Sequence, residues 1–76
     1  MIQENIRLPN VTRVQEFTSA MREFDFEVDL TSGRYVINGK SIMGILSLDL
    51  AHPIQDTAEV PEHKKERFLE VIRSFA

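Results

Sequence analysis

Two histidines and a set of carboxylates are the side chains of this chain that could do acid–base, phosphoryl-transfer or metal chemistry. His52 stands in an Ala-His-Pro setting and His63 in a Glu-His-Lys setting, and neither has further ligands at the spacing of a metal site. The carboxylates are interspersed with lysines and arginines, which is typical of solvated faces. No nucleophile elbow, glycine-rich phosphate loop or Cys/His cluster is present. We therefore expect a protein that is not an enzyme and that holds no metal and no cofactor.

Asn10 and Ser41 each precede a run of residues with helical spacing. Either side chain can accept a hydrogen bond from a free amide of the first helical turn, so both are predicted N-caps. The hydroxyl of Ser41 is also a site where phosphate could be added. A phosphoserine at a helix N-terminus is stabilised by the helix dipole and the free amides, so the modified protein would stay folded.

Hydrophobic patterns predict the elements that position these residues. Residues that recur every three or four positions predict helices, and alternating residues predict strands. The predicted elements are a strand at 6–8, a helix from Asn10 to about Phe24, a strand at 26–30, a turn at 31–34, a strand at 35–37, a helix at 41–48, a strand at 54–60 and a helix at 62–76. The order β-α-β-β-α-β-α indicates a two-layer α+β domain with its helices on one face of an antiparallel sheet.

Length, charge and cysteine content limit the function classes. The chain has 76 residues, a formal net charge of -3 and no cysteine, so we expect one domain, at 1–76, without disulfides. Its scattered arginines give no basic face for nucleic acid. The N-terminus has no signal-peptide pattern and no stretch is long enough to span a bilayer. We expect a cytoplasmic monomer that binds neither nucleic acid nor membrane.

The predicted second helix has apolar residues on two sides. Ile45 and Leu48 are expected to face the sheet. Ile42, Met43 and Leu46 then lie on the other side, where a monomer would place polar residues. An exposed apolar patch of this kind usually marks an interface, and methionine suits adaptable contacts.

The same segment resembles a known family. Lys40-Ser41-Ile42-Met43-Gly44-Ile45-Leu46-Ser47-Leu48 is similar to the regulatory-serine segment of HPr, the phosphocarrier of the sugar phosphotransferase system. Val36-Ile37-Asn38-Gly39 fits the approach to that segment, and a looser similarity extends over 14–30 and the last helix. The resemblance implies an open-faced sandwich: a four-stranded antiparallel sheet in the order 1-4-2-3, with three helices on one face.

The resemblance also implies two sites, and at the first of them this sequence departs from the family's pattern. In the family, a histidine in a Gly-Leu-His-Ala-Arg-Pro setting begins helix one and accepts a phosphoryl group from enzyme I. A gap-free alignment places Asn10 at the histidine, Thr12 at the arginine and Arg13 at the proline; a one-residue shift restores Arg13 to the arginine. No shift supplies a histidine. An amide is not a nucleophile that forms a labile phosphoramidate, so Asn10 is a degenerate phosphohistidine position, with Thr12 and Arg13 as possible anion or partner contacts.

The second family site is a serine that a dedicated kinase phosphorylates, and it corresponds to Ser41. Lys40, Ile42, Met43 and Leu46 correspond to the surface on which the family binds enzyme I, the kinase and a transcriptional regulator. We interpret the chain as a binding and regulatory module of sugar transport or carbon catabolite regulation. Two alternatives stay open: a phosphocarrier that uses a relocated histidine, and an inert decoy that binds enzyme I.

Overall fold

A single four-stranded antiparallel sheet organises the chain. The computed structural model describes residues 1–76, and the strands lie in the order β1-β4-β2-β3. The strands are β1 (Ile2–Ile6), β2 (Val28–Ser32), β3 (Tyr35–Asn38) and β4 (Ile54–Ala58), and the helices are α1 (Val11–Met21), α2 (Ile42–Leu46) and α3 (Lys65–Arg73), with a 3-10 turn at Glu62–Lys64 before α3. The predicted fold class and strand order are confirmed.

The core lies between one face of the sheet and the helices. Alternate residues of the strands, such as Ile6, Leu30 and Ile54, are fully buried, whereas Asn5, Asp29 and Gln55 beside them are exposed. The stripe predicted for α1 faces this side, with Val14, Phe17 and Met21 fully buried. In α3 the fully buried residues are Phe68 and Ile72, which are four positions apart and therefore on one helical face.

The first strand differs most from the prediction. It runs from Ile2 to Ile6 rather than through 6–8, and it pairs with β4 from Ile2↔Ala58 to Ile6↔Ile54. Glu4 lies between Ile2 and Ile6 on the helix-facing side, which removes the apolar alternation that would predict a strand here. The pairing with β4 overrides this local pattern.

The ends of several other elements also differ from the predicted ends. Helix α1 ends at Met21 rather than near Phe24, and the strand predicted from Phe26 begins at Val28. Strand β2 continues to Ser32, which leaves Gly33 and Arg34 as a two-residue hairpin turn. Gly33 has a φ of +59° while no other residue has a positive φ, which is the pattern of a type II′ turn with glycine first. The helix predicted at 41–48, the strand predicted at 54–60 and the helix predicted at 62–76 correspond to α2, β4 and α3. Their ends differ from the observed ends by a few residues.

Ion pairs join α3 and the 3-10 turn before it to the segment that follows α1. Arg67 Nε and Nη2 donate to Glu23 Oε2 and Oε1 at 2.8 and 3.0 Å, and the bonded guanidinium lowers the pKa of Glu23. Lys64 Nζ donates to Asp25 Oδ1 at 2.7 Å, and this bond lowers the pKa of Asp25. All four groups lie at the surface, so each pair contributes little to stability. None of the helices is both long and apolar enough to span a membrane.

Candidate functional site

The start of α1 is built around Asn10. Its backbone is extended (φ −154°, ψ 171°), its Oδ1 accepts a hydrogen bond from the amide of Arg13 at 2.9 Å, and its carbonyl accepts from the amide of Val14 at 3.1 Å. Asn10 is therefore the N-cap that the sequence predicts. The amides of Val11 and Thr12 precede the helix's own hydrogen bonds, and both residues are exposed. Thr12 is exposed and makes no side-chain hydrogen bond.

Arg13 is turned away from this helix start. Its Nη2 donates to the carbonyl of Ser74 at 2.8 Å, its Nη1 lies 3.0 Å from Glu16 Oε1, and its guanidinium carbon lies 4.2 Å from the centroid of the Phe75 ring. The guanidinium thus caps the last turn of α3 and stacks on an aromatic face. These contacts hold the Arg13 side chain in place.

Neither histidine lies at the start of α1. His52 is in the loop before β4, where its Nε2 is 3.6 Å from Asp49 Oδ2 and its side chain is 76% exposed. It lines a shallow recess of about 360 Å³ with Arg7, Pro9, Leu50 and Ala51. His63 is exposed in the 3-10 turn. No hydrogen bond joins either imidazole to the first amides of α1, and no three acidic or histidine side chains come together as a metal site would need.

Ser41 begins α2 in the manner predicted for an N-cap. Its backbone is extended (φ −103°, ψ 108°), its Oγ accepts from the amide of Gly44 at 3.1 Å, and its carbonyl accepts from the amide of Ile45 at 3.0 Å. A Cβ added at Gly44 would lie 3.1 Å from this Oγ, so glycine keeps the space beside the hydroxyl open. The hydroxyl donates no hydrogen bond within the chain and Ser41 is half-buried.

Lys40 has a structural contact that the sequence does not reveal. Its Nζ donates to the carbonyl of Phe24 at 2.6 Å, and its amide donates to Asn38 Oδ1 at 2.8 Å. These bonds tie the loop before α2 to the segment after α1. The ammonium therefore already has a partner within the chain, and the predicted role of Lys40 in partner binding would compete with this contact.

An apolar surface lies beside Ser41. Met43 is 85% exposed and Leu46 is 41% exposed; we call these two residues the α2 patch. Ile45 is fully buried, as the helical spacing predicts. Ile42 differs from the prediction: it is half-buried and packs against the core, because α2 lies close enough to the sheet to cover its first residue. Val11 on α1, the helix that α2 contacts, is also half exposed, at 52%, and the sequence analysis missed it.

Comparison with solved structures places this arrangement among known folds. The chain is similar to HPr-C-His from Thermoanaerobacter tengcongensis, with a TM-score of 0.75 and 23% identity over 97% of this chain and 93% of that one. It is also similar to the phosphocarrier protein HPr from Bacillus anthracis, with a TM-score of 0.70 and 21% identity over 99% of this chain and 96% of that one. The chain has the HPr fold. No protein-family model matches it, and no curated protein sequence matches it.

Within the HPr fold, the two sites predicted from the resemblance fall at the starts of two helices. Asn10 caps α1 and Ser41 caps α2, and the two helices are in contact. Thr12 lies with Asn10 in the first turn of α1, whereas Ser41 lies near the other end of α1, because the adjacent Lys40 bonds to the Phe24 carbonyl. Arg13 contacts Ser74 and Phe75, and Lys40 contacts Phe24, so both side chains have partners within the chain.

Proposed function

We propose that this chain is an HPr-like protein without the phospho-accepting histidine, and that it acts as a binding and regulatory module through α2. The observation that carries the proposal is the pair of helix starts: an asparagine caps α1, and a serine whose hydroxyl donates no hydrogen bond caps α2 beside an exposed methionine. The HPr fold of the chain supports the family assignment.

The chemistry at Asn10 supports a function that does not carry phosphate. A histidine carrier needs an unprotonated ring nitrogen that attacks the phosphoryl group and then releases it readily. The carboxamide nitrogen of Asn10 has its lone pair delocalised into the carbonyl and is not nucleophilic. The oxygen is already the acceptor of the Arg13 amide. Asn10 thus retains the capping role and supplies no phosphoryl acceptor.

Regulation by phosphate at Ser41 would act through charge. A phosphoserine carries about −1.5 to −2 charges near neutral pH, and the free amides at a helix start stabilise it. Met43, two residues on, is the most exposed large apolar side chain of the molecule. A phosphate beside it would change binding at the α2 patch by charge and desolvation without a change of fold.

The partner class follows from the same reasoning. We propose proteins of the phosphotransferase system or of carbon regulation as partners: enzyme I, the serine kinase or a transcriptional regulator in the cytoplasm. The α2 patch would form the centre of the contact, and Ile42 would contribute the part of its side chain that stays exposed. Methionine at the centre suits a surface that meets more than one partner.

Two phosphorylation assays test the proposal. With enzyme I and phosphoenolpyruvate, we expect no label on this chain while an authentic HPr in the same tube is labelled; a phosphohistidine on this chain would refute the non-carrier proposal. With the serine kinase and ATP, we expect label on the wild type and on Ser47→Ala but none on Ser41→Ala. If the wild type stays unlabelled while authentic HPr is modified, the regulatory part fails.

The alternatives give different outcomes in the first assay. A carrier with a relocated histidine would be labelled, and the label would be lost in His52→Asn or His63→Asn. An inert decoy would slow the labelling of authentic HPr by occupying enzyme I and would itself be resistant to the serine kinase. The exposed position of His52 beside Asp49, without a contact to the α1 amides, gives no support to the first alternative.

A further inference from the structure

One acid, Asp56, lies on the core side of the central strand β4. It stands between Ile54 and Ala58 on the buried face, and its cross-strand neighbours are Glu4 on β1 and Leu30 on β2. Its side chain has no exposed surface, and neither carboxylate oxygen has a hydrogen-bond partner. An ionised carboxylate in such a place is strongly disfavoured, whereas a neutral carboxylic acid is tolerated far better.

No positive charge compensates for Asp56. Glu4, directly opposite, is negative, and the side chain of Asp29 on β2 points to the other face of the sheet. The residues of α1 buried against the sheet, namely Val14, Phe17, Thr18 and Met21, carry no charge, and neither do Phe68 and Ile72 of α3. The cation that reaches this region is Arg73 of α3, whose Nη2 lies 4.0 Å from Glu4 Oε1. Asp56 itself takes part in no ion pair.

This environment keeps the Asp56 carboxyl neutral at pH values well above those at which an aspartate usually ionises. Burial raises the pKa of the Asp56 carboxyl to about 7, and the negative charges of Glu4 and Asp29 act in the same direction. An aspartate in an unfolded chain has a pKa of about 3.9. Asp56 thus holds a proton in the folded state at pH values where the unfolded chain has lost it.

The contact between α3 and β1, which we call the α3–β1 seam, lies next to this acid. Arg73 reaches Glu4 across it, and the amide of Arg7, which directly follows β1, donates to the carbonyl of Phe75 at 2.7 Å. Few other polar contacts join the end of α3 to this edge of the sheet. If Asp56 ionises, its charge needs contact with water, and water enters most readily where one packed element can separate from another. Here that element is α3, which packs on β1.

We propose that Asp56 is a proton-dependent switch of the α3–β1 seam, closed when the carboxyl is neutral and opened by water when it ionises. The direction follows from linkage. At low pH both folded and unfolded states hold the Asp56 proton, and the contribution of this group to stability is most favourable. As pH rises above the unfolded pKa, the unfolded state loses its proton first, so the unfolding constant increases by about tenfold per pH unit. The increase levels off above the folded pKa of about 7.

The first test is a titration of the wild-type protein by carbon-detected NMR of the side-chain carboxyl carbons. We expect the Asp56 carbon to titrate with a midpoint near 7, and Glu4→Gln to lower that midpoint because one repelling charge is gone. A midpoint for Asp56 in the ordinary aspartate range would overturn the proposal. This measurement needs no Asp56 variant, so it stands even if substitutions at this buried position impair folding.

The second test is hydrogen exchange of two reporter amides at pH 6 and pH 8, corrected for the intrinsic pH dependence of exchange. The Arg7 amide reports on the α3–β1 seam, and the Gly39 amide, bonded to the Val28 carbonyl at 2.7 Å, reports on the distant β2–β3 edge. We expect protection of Arg7 to fall by about tenfold at the higher pH and to stay below that of Gly39 at both pH values. The same protection at both amides would show that the seam opens only when the whole fold unfolds, and would refute a local switch.

Variants separate the role of Asp56 from that of other acids. Asp56→Asn removes the titration, so the protection of Arg7 should then be the same at both pH values. Glu27→Gln removes an exposed carboxylate outside any ion pair and should behave as the wild type. If Asp56→Asn folds and keeps the pH dependence of the wild type, the switch resides elsewhere and the proposal is wrong.

Discussion

The guanidinium of Arg13, near the start of α1, lies over the ring of Phe75, near the end of the chain, with 4.2 Å from its carbon to the ring centroid. The same ring meets Phe17 edge-on, with centroids 5.2 Å apart. The start of α1 and the last turn after α3 are thereby joined by one stacked cluster. Because Asn10 accepts from the Arg13 amide, this cluster also fixes the helix start where a carrier histidine would lie in the proposed alignment.

Replacement of Arg13 by alanine should therefore destabilise the fold. It removes the cation–π contact and the hydrogen bond to the Ser74 carbonyl, which together are worth roughly 1–2 kcal/mol. Urea unfolding monitored by circular dichroism measures the change in the free energy of unfolding. Arg22→Ala is the matched control, because Arg22 is exposed and its side chain makes no ion pair or hydrogen bond. Equal stability of the two variants would contradict this role of Arg13.

The helices and the hairpin are the parts that the sequence predicts well, because their signals are local. The spacing of Val14, Phe17 and Met21 identifies the buried face of α1, and Gly33 identifies the turn. Strand β1 is not predictable in the same way. Glu4 interrupts its pattern, and only pairing with a strand some fifty residues later places it in the sheet.

The same difference between local and long-range signals applies to the candidate site. The capping roles of Asn10 and Ser41 depend on residues three positions ahead and follow from the sequence. The contacts of Arg13 with Ser74 and of Lys40 with Phe24 join distant segments, and no spacing rule reveals them. Asp56 gives a partial signal, since an acid within an otherwise apolar alternation marks an unusual site. Its complete burial needs the tertiary structure.

The α2 patch should contribute to partner binding without contributing to stability. Met43→Asp places a charge at a side chain that is 85% exposed, so the free energy of unfolding should change by no more than about 0.5 kcal/mol. Affinity for a partner that docks on α2, such as the serine kinase, should fall by about tenfold or more. Val36→Asp, at a 64% exposed position on the edge strand β3, is the control. An equal loss of affinity in both variants, measured by calorimetry, would point to charge alone rather than to this surface.

Ser41 should stabilise α2 through its hydroxyl oxygen. Ser41→Ala removes the acceptor of the Gly44 amide and should lower the free energy of unfolding by about 1 kcal/mol. Ser41→Asp keeps an acceptor and adds a negative charge at the helix start, so its stability should be close to that of the wild type. Ser19→Ala, at an exposed position of α1 whose side chain makes no hydrogen bond, should not lower the free energy of unfolding, because alanine is the better helix former. If Ser41→Asp unfolds α2, as judged from amide shifts, then a phosphate would not be tolerated there either.

Replacement of Asp56 by valine should have an effect on stability that depends on pH. Valine fits a buried strand position and carries no charge, so any change in packing is the same at every pH. Because burial raises the pKa of Asp56 to about 7, the wild type loses stability relative to the variant as pH rises from about 4 to 7. The full difference is about 4 kcal/mol, at about 1.4 kcal/mol per pH unit. Urea unfolding at pH 4, 6 and 8 gives the three values, and Glu27→Gln serves as the reference for an exposed acid. A constant difference between wild type and Asp56→Val across these pH values would mean that the carboxyl is already ionised in the folded protein at pH 4, despite its burial against Glu4 and Leu30.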